Sequence, residues 1–177
     1  MVEDWKLKST KPLHDYRIFK TRADVRLSPR TGNEHEFYVL ESPDWVNIVA
    51  VTEDEQVVLI NQFRHGVSAS VLEIPGGMID EGEEPIRSAE RELLEETGYV
   101  GEEFIQIGCV HPNPALFDNL CYTFLATSAK KIKGPEFEGA EDIETVLYPV
   151  SEIKNMIKSG EITHSLVLNA LFFYLDC

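Results

Sequence analysis

Cationic residues are scarce in this chain: 16 Lys+Arg stand against 31 Asp+Glu, a formal net charge of −15. A non-specific nucleic-acid binder needs the opposite balance, because Lys and Arg must displace the counterions of the phosphates. Docking on an anionic membrane surface needs the same excess. Neither nucleic acid nor membrane is therefore expected as a partner. A small anionic ligand stays open, since a bound divalent cation reverses the local sign. Cysteine is sparse, with Cys109, Cys121 and Cys177 widely spaced and no CxxC pair, the pattern of reduced thiols in a cytoplasmic protein. The five His residues show neither HxxxH nor HExxH spacing, which argues against a His-based zinc site. No apolar run approaches the length of a membrane span, and MVEDWKLKSTKPLHDY lacks the apolar core of a secretory leader. Internal repeats and low-complexity tracts are also missing.

What remains is a chain of 177 residues, 43% hydrophobic and 10% aromatic, enough to bury one real core. Two segments are expected: an N-terminal β extension over 1–41 and a main domain over 42–177. In the first, 17–27 and 34–41 read as strands joined by a turn carrying Pro29 and Gly32, a basic hairpin. WVNIVAV (45–51) and VVLINQF (57–63) read as buried strands linked by Glu53-Asp54-Glu55. Pro85 and Gly98 bracket a helix over 84–97, with Ile86, Ala89, Leu93 and Leu94 at helical spacing. Strands at 104–111, 120–127 and 143–149 and helices at 152–159 and 164–175 complete a mixed α/β (α+β) sheet covered by helices.

The first helix is chemically unusual. Glu92 and Glu96 are offset by about 40° and roughly one turn, and Glu95 sits on the adjoining flank. Like charges so placed repel, and a bound cation offsets that cost; a solvated acidic face without a ligand is the alternative. Carboxylates are hard donors, suited to Mg²⁺ or Mn²⁺ with substrate phosphates completing the shell. Glu83 can join from the preceding loop, and Arg91 can orient the glutamates through charge-assisted hydrogen bonds.

Residues 77–99 resemble the Nudix box, G-x5-E-x7-R-E-U-x-E-E-x-G-U. Gly77, Glu83, Arg91, Glu92, Glu95, Glu96 and Gly98 fill every fixed position, and Leu93 and Tyr99 fill the bulky ones. The resemblance runs from about Trp45 to the C-terminus. It implies an α/β/α sandwich with a mixed sheet that hydrolyses a nucleoside diphosphate linked to another group. By position it makes Glu92 and Glu96 metal ligands and Glu95 a further ligand or supporting acid. Glu83 becomes a supporting acid, Arg91 its orienting partner, and the carbonyl of Gly76 or Gly77 a further donor.

Three outlying features are similar to ADP-ribose and nucleotide-sugar pyrophosphatases of that family: DWVNIVAVTEDEQVVLINQFRHG with LEIPGGMIDEGE, Pro114 within HPNPALFDN, and the acidic loop GAEDIETV. The loop makes Glu141 the general base or a metal ligand, with Glu138 as the other candidate. Arg64 matches the substrate arginine. Arg17, Arg22 and Arg26 either reach a partner's active site across a dimer or form the wet face of a strand. Trp45 or Phe19 can stack on a base. The resemblance thus implies a Mg²⁺-dependent homodimer (Mn²⁺ as substitute) acting on a small nucleoside diphosphate. A dinucleoside polyphosphate, capped RNA or oxidised dNTP substrate, or a non-catalytic ADP-ribose sensor, remains the alternative. The charge fits this picture. Residues 80–103 hold ten acids and two bases, and 136–144 five acids and no base, while half of the 16 bases lie in the first 30 residues.

Overall fold

The computed structural model describes residues 2–137 and 142–176, which fall into two compact units. The first comprises 1–43 together with 111–120. It is built on a three-stranded antiparallel sheet, β1 (Lys6–Asp15), β2 (Lys20–Leu27) and β3 (Glu34–Glu41), in the order β1-β2-β3. The expected hairpin is present as β2–β3, and β1 is an additional strand. Every residue of β1 is exposed, so backbone pairing rather than burial holds it. The segment 111–120 joins this unit through a bridge between Leu40 and Phe117 and a hydrogen bond from the Leu40 amide to the Leu116 carbonyl (2.8 Å).

Arg22 and Arg26 do not simply form a wet face. Asp24, 1% exposed, accepts hydrogen bonds from Thr10 (2.9 Å), Arg22 (3.2 Å) and Arg26 (3.2 Å). Burial pushes the Asp24 carboxyl up, but these three donors together bring it below its ordinary value. A carboxyl depressed in the folded state stabilises above its unfolded pKa of about 3.9 and loses that contribution as the pH falls through the folded value. Asp24→Asn is therefore expected to cost about 2 kcal/mol at pH 7, the scale of hydrogen bonds to a charged group. In urea titrations the gap to wild type closes below about pH 4.

The second unit, 44–110 with 121–177, is a mixed sheet between helices. Its elements are β4 (Trp45–Val51), β5 (Gln56–Arg64), β6 (Ala69–Glu73), β7 (Gly76–Met78), α1 (Pro85–Thr97), β8 (Tyr99–Val100), β9 (Phe104–Val110), β10 (Cys121–Ala126), β11 (Lys130–Lys131), β12 (Ile143–Pro149), α2 (Val150–Ser159) and α3 (Ser165–Asp176). The main sheet runs β12-β5-β4-β10-β9, with β6 added to β5 and β7 to β4; β4 and β10 pair in parallel and the other named neighbours antiparallel.

Period-two alternation in the apolar strands divides the core. Val46, Ile48, Ala50 and Val58 pack with Ala89 and Leu93 of α1 on one face. Val49, Val57 and Leu59 pack with Ile153, Met156, Val167 and Leu171 of α2 and α3 on the other. Each such fully buried aliphatic side chain stabilises the fold by about 1.5–3 kcal/mol. Ile86, expected on the packed flank of α1, is 36% exposed; it lies in the first turn, before the helix reaches the sheet. Gly98 ends α1 in the left-handed region (φ 75°), donating to the Leu94 carbonyl (2.9 Å), as the C-terminal stop requires.

One irregularity opens the sheet. β4 and β5 pair only at Ala50–Val58 and Val51–Val57. Toward the start of β4 they separate, β4 taking β7 as its partner and β5 taking β6. A cavity forms at this split.

Candidate active site

Two glycines let the strand β7 and the helix α1 approach closely. The Gly76 amide donates to Glu96 Oε2 (2.9 Å). A Cβ on Gly76 would collide with the Val46 carbonyl, and one on Gly77 with the Glu92 carboxylate. Glu96 is 4% exposed and Glu92 13%; both are carboxylates drawn out of water at the edge of the sheet. Gly77→Ala is expected to push the Glu92 carboxylate aside and lower kcat about tenfold, since an ångström of misplacement at a reacting centre is costly. Unchanged turnover by a folded Gly77→Ala protein contradicts this.

Arg91 gathers the other acids. Its Nε and Nη2 grip the two Glu83 oxygens (3.1 and 2.9 Å), and its Nη1 donates to Glu92 Oε1 (2.8 Å) and Glu95 Oε2 (3.2 Å). Nη2 also reaches Ser88 Oγ (3.1 Å) and the Met78 carbonyl (3.2 Å), tying the loop before α1 to the helix. The Arg91 hydrogen bonds hold the Glu83 carboxyl below the usual carboxylate range, and Glu83 in turn raises the Arg91 guanidinium. The fork geometry of guanidinium suits this bidentate work.

The cavity beside these groups measures about 920 Å³, within the range of ligand sites. Trp45, Arg64, Glu73, Gly76 and Gly77 line it. Arg64 makes a two-pronged pair with Glu73, Nε to Oε1 at 2.8 Å and Nη2 to Oε2 at 2.7 Å. Glu73 is 3% exposed while Arg64 keeps 43% of its side chain exposed, so a buried acid steers a cation that still meets solvent.

Of the residues singled out from sequence, Glu83, Arg91, Glu92, Glu95 and Glu96 thus come together with Gly76, and Arg64 and Trp45 line the adjoining cavity. Arg26 and Pro114 belong to the first unit, where Arg26 is bonded to Asp24 and to the Trp5 carbonyl. Phe19 stacks on Tyr16 in the same unit. Glu138 and Glu141 lie outside the described residues. Glu73 was not foreseen; a lone acid inside the extended run VLEIP was its signal.

The donor set is all oxygen, as a hard divalent cation requires. Among the described residues, no three His, Cys, Asp or Glu side chains converge closely enough to hold an ion; Glu83, Glu92 and Glu95 are bonded to Arg91 and Glu96 to the Gly76 amide. The carboxylates fit such a cation in kind, with Glu92 and Glu96 nearest the glycine strand.

The sequence profile of the NUDIX domain matches residues 41–169. An ADP-ribose pyrophosphatase of Bacillus subtilis (strain 168) is 29% identical over 140 residues, covering 78% of this chain and 75% of that protein. A GDP-mannose pyrophosphatase of Citrobacter koseri is 32% identical over 163 residues, covering 86% and 85%. In three dimensions, the crystal structure of an ADP compounds hydrolase superposes with a TM-score of 0.87 at 19% identity, covering 99% of this chain and 95% of the other, a likeness of fold. The matched span contains Gly77, Glu83, Arg91, Glu92, Glu95, Glu96 and Gly98, which fill every fixed position of the box, and the chain belongs to the Nudix family.

Proposed function

We propose that the protein hydrolyses the pyrophosphate bond of ADP-ribose or of a nucleoside-diphosphate sugar, releasing a nucleoside monophosphate and a sugar phosphate. The observation that carries this reading is the set of box glutamates, Glu83, Glu92 and Glu95 held by Arg91 and Glu96 by the Gly76 amide, beside a cavity that also presents Arg64. The relatives named for ADP-ribose and GDP-mannose support the substrate class.

Nudix pyrophosphatases work with a divalent metal ion, and Mg²⁺, with Mn²⁺ as substitute, suits these hard donors. Glu92 and Glu96 would hold it, with the Gly76 carbonyl and Glu95 as further oxygen donors. Bound there, a divalent ion supplies neutralisation of the pyrophosphate charge and a more acidic water. Arg91 fixes the glutamates in place, and Glu83 anchors Arg91. Arg64, steered by Glu73, meets a phosphate oxygen, while Trp45 walls the cavity against a base or sugar. Glu141 takes the proton of the attacking water. Most of the rate gain then comes from positioning and electrostatics.

The active form is a homodimer. Leu7, Leu13, Tyr16, Ile18, Phe37 and Tyr38 of the first unit are exposed, an apolar display that a second copy can cover, bringing Arg26 to the partner. Light scattering at micromolar concentration is expected to give twice the chain mass; a monomer contradicts it. The cytoplasm is the compartment, where Cys109 and Cys121 stay reduced; burial pushes the Cys121 thiol up to about 12, which keeps it inert.

The decisive experiment incubates the protein with Mg²⁺ and ADP-ribose, GDP-mannose, UDP-glucose or diadenosine polyphosphates and identifies the products by mass spectrometry. Monophosphate release from one of the first three supports the reading. Cleavage of the diadenosine compounds alone, or of none, overturns it.

A further inference from the structure

The box helix carries its acids at its unfavourable end. Glu95 and Glu96 lie in the closing turn of α1, and that turn holds no basic residue. A helix C-terminus bears the negative end of the macrodipole and favours cations, not carboxylates. Its last carbonyls also lack partners within the helix. Two carboxylates placed there push the turn to fray, and fraying moves both of them.

A segment from a distant part of the chain holds the turn shut. β11 pairs with β8 directly after the helix, Lys131 opposite Tyr99 and Lys130 opposite Val100. Beyond β11 the chain stays against the end of α1. The Ile132 amide donates to the Gly98 carbonyl (2.9 Å), and the Glu136 amide donates to the Glu95 carbonyl (2.8 Å). The approach is so close that a Cβ on Gly98 would collide with the Lys133 carbonyl. An ion pair between Lys133 and Glu136 (2.8 Å) ties the segment to itself. Lys130, Lys131 and Lys133 also supply the positive charge that the closing turn lacks. Glu95 is thereby held twice, its carbonyl by Glu136 and its carboxylate by Arg91. Glu96 follows it in the same turn, with its carboxylate on the Gly76 amide.

We propose that the segment 130–137 is a positioning element for the divalent ion: through the Glu136 amide it caps α1 and keeps Glu95 and Glu96 where they bind the ion. This rests on the pyrophosphatase reading given above, which supplies the ion. No side chain of the segment touches ion or substrate, and Glu136 acts through its backbone N–H alone. Such coupling is reciprocal: a cap that favours the ion is itself favoured by the ion, by the same factor.

The test reads ion binding rather than turnover. Mg²⁺ is titrated into the full chain and followed by the amide chemical shifts of α1. Glu136→Pro deletes the donor and is expected to weaken Mg²⁺ binding about tenfold, the loss of one hydrogen bond. Glu136→Ala keeps the N–H and loses only the pair with Lys133, so it is expected to recover the wild-type affinity. In the wild type, saturating Mg²⁺ is expected to slow hydrogen exchange at the Glu136 amide by about the same factor. A folded Glu136→Pro protein that binds Mg²⁺ within twofold of wild type overturns the proposal. So does a Glu136 amide whose exchange ignores Mg²⁺, a measurement that decides alone where the proline variant does not fold. Coupled Mg²⁺ binding without cleavage of any nucleotide in the substrate panel overturns the pyrophosphatase reading and leaves the cap standing. A wild-type protein that binds no Mg²⁺ overturns both.

Discussion

Glu96→Gln is expected to lower kcat on ADP-ribose with Mg²⁺ by roughly three orders of magnitude, about 4 kcal/mol of transition-state stabilisation. The substitution is nearly isosteric, and an amide oxygen can still accept the Gly76 N–H that Glu96 now receives at 2.9 Å. Folding should therefore survive, and thermal unfolding should move by only a few degrees. What is lost is the negative charge of a carboxylate that is 4% exposed, and therefore hard for solvent or a neighbour to replace. The metal concentration for half-maximal activity should rise along with the fall in kcat. Glu90 supplies the control. It pairs with Arg87 at 2.7 Å on the outer side of α1, and Glu90→Gln should remain within twofold of wild type. A Glu96→Gln enzyme within tenfold of wild type would falsify the role assigned to this residue.

The box could be read from the sequence because it is local. Glu83 through Gly98 lie within one loop and one helix, and helical geometry alone places Glu92, Glu95 and Glu96 on neighbouring flanks. Arg91 could be foreseen as a companion of these glutamates for the same reason; the structure pairs it with Glu83, Glu92 and Glu95, while Glu96 accepts from the Gly76 amide. Non-local pairing was harder to see. Arg64 stands out by position, but its buried partner Glu73 is supplied by the antiparallel pairing of β5 with β6, a register that no window of sequence reveals.

The same distinction holds for the fold. The apolar strands β4 and β5 and the glycine-stopped helices α1 and α2 carry their own periodicity and stop signals, and each stands close to its expected span. KLKSTKPLHD has no apolar alternation and contains Pro12, so nothing in it announces a strand. It becomes β1 because the β2 edge is available for pairing. The grouping of 111–120 with the first unit depends on the Leu40–Phe117 bridge between segments far apart in sequence.

Arg91→Gln is the second substitution with a large expected effect, and it separates organisation from charge. Arg91 makes six hydrogen bonds, four of them to three carboxylates and two to Ser88 and the Met78 carbonyl. Glutamine reaches at most one or two of these partners and carries no charge. Glu83, Glu92 and Glu95 then face one another without a cation between them, and the loop after β7 loses its tie to α1. A fall in kcat of about a hundredfold is expected from misplaced glutamates. Stability at pH 7 should drop by about 2 kcal/mol in urea titrations, since the cluster is half-buried rather than sealed from water. Arg91→Lys tests the geometry alone. It restores the charge but not the fork, so it should recover the stability more fully than the turnover. If lysine restored kcat completely, Arg91 would be acting as a point charge rather than as the clamp its bidentate grip on Glu83 implies.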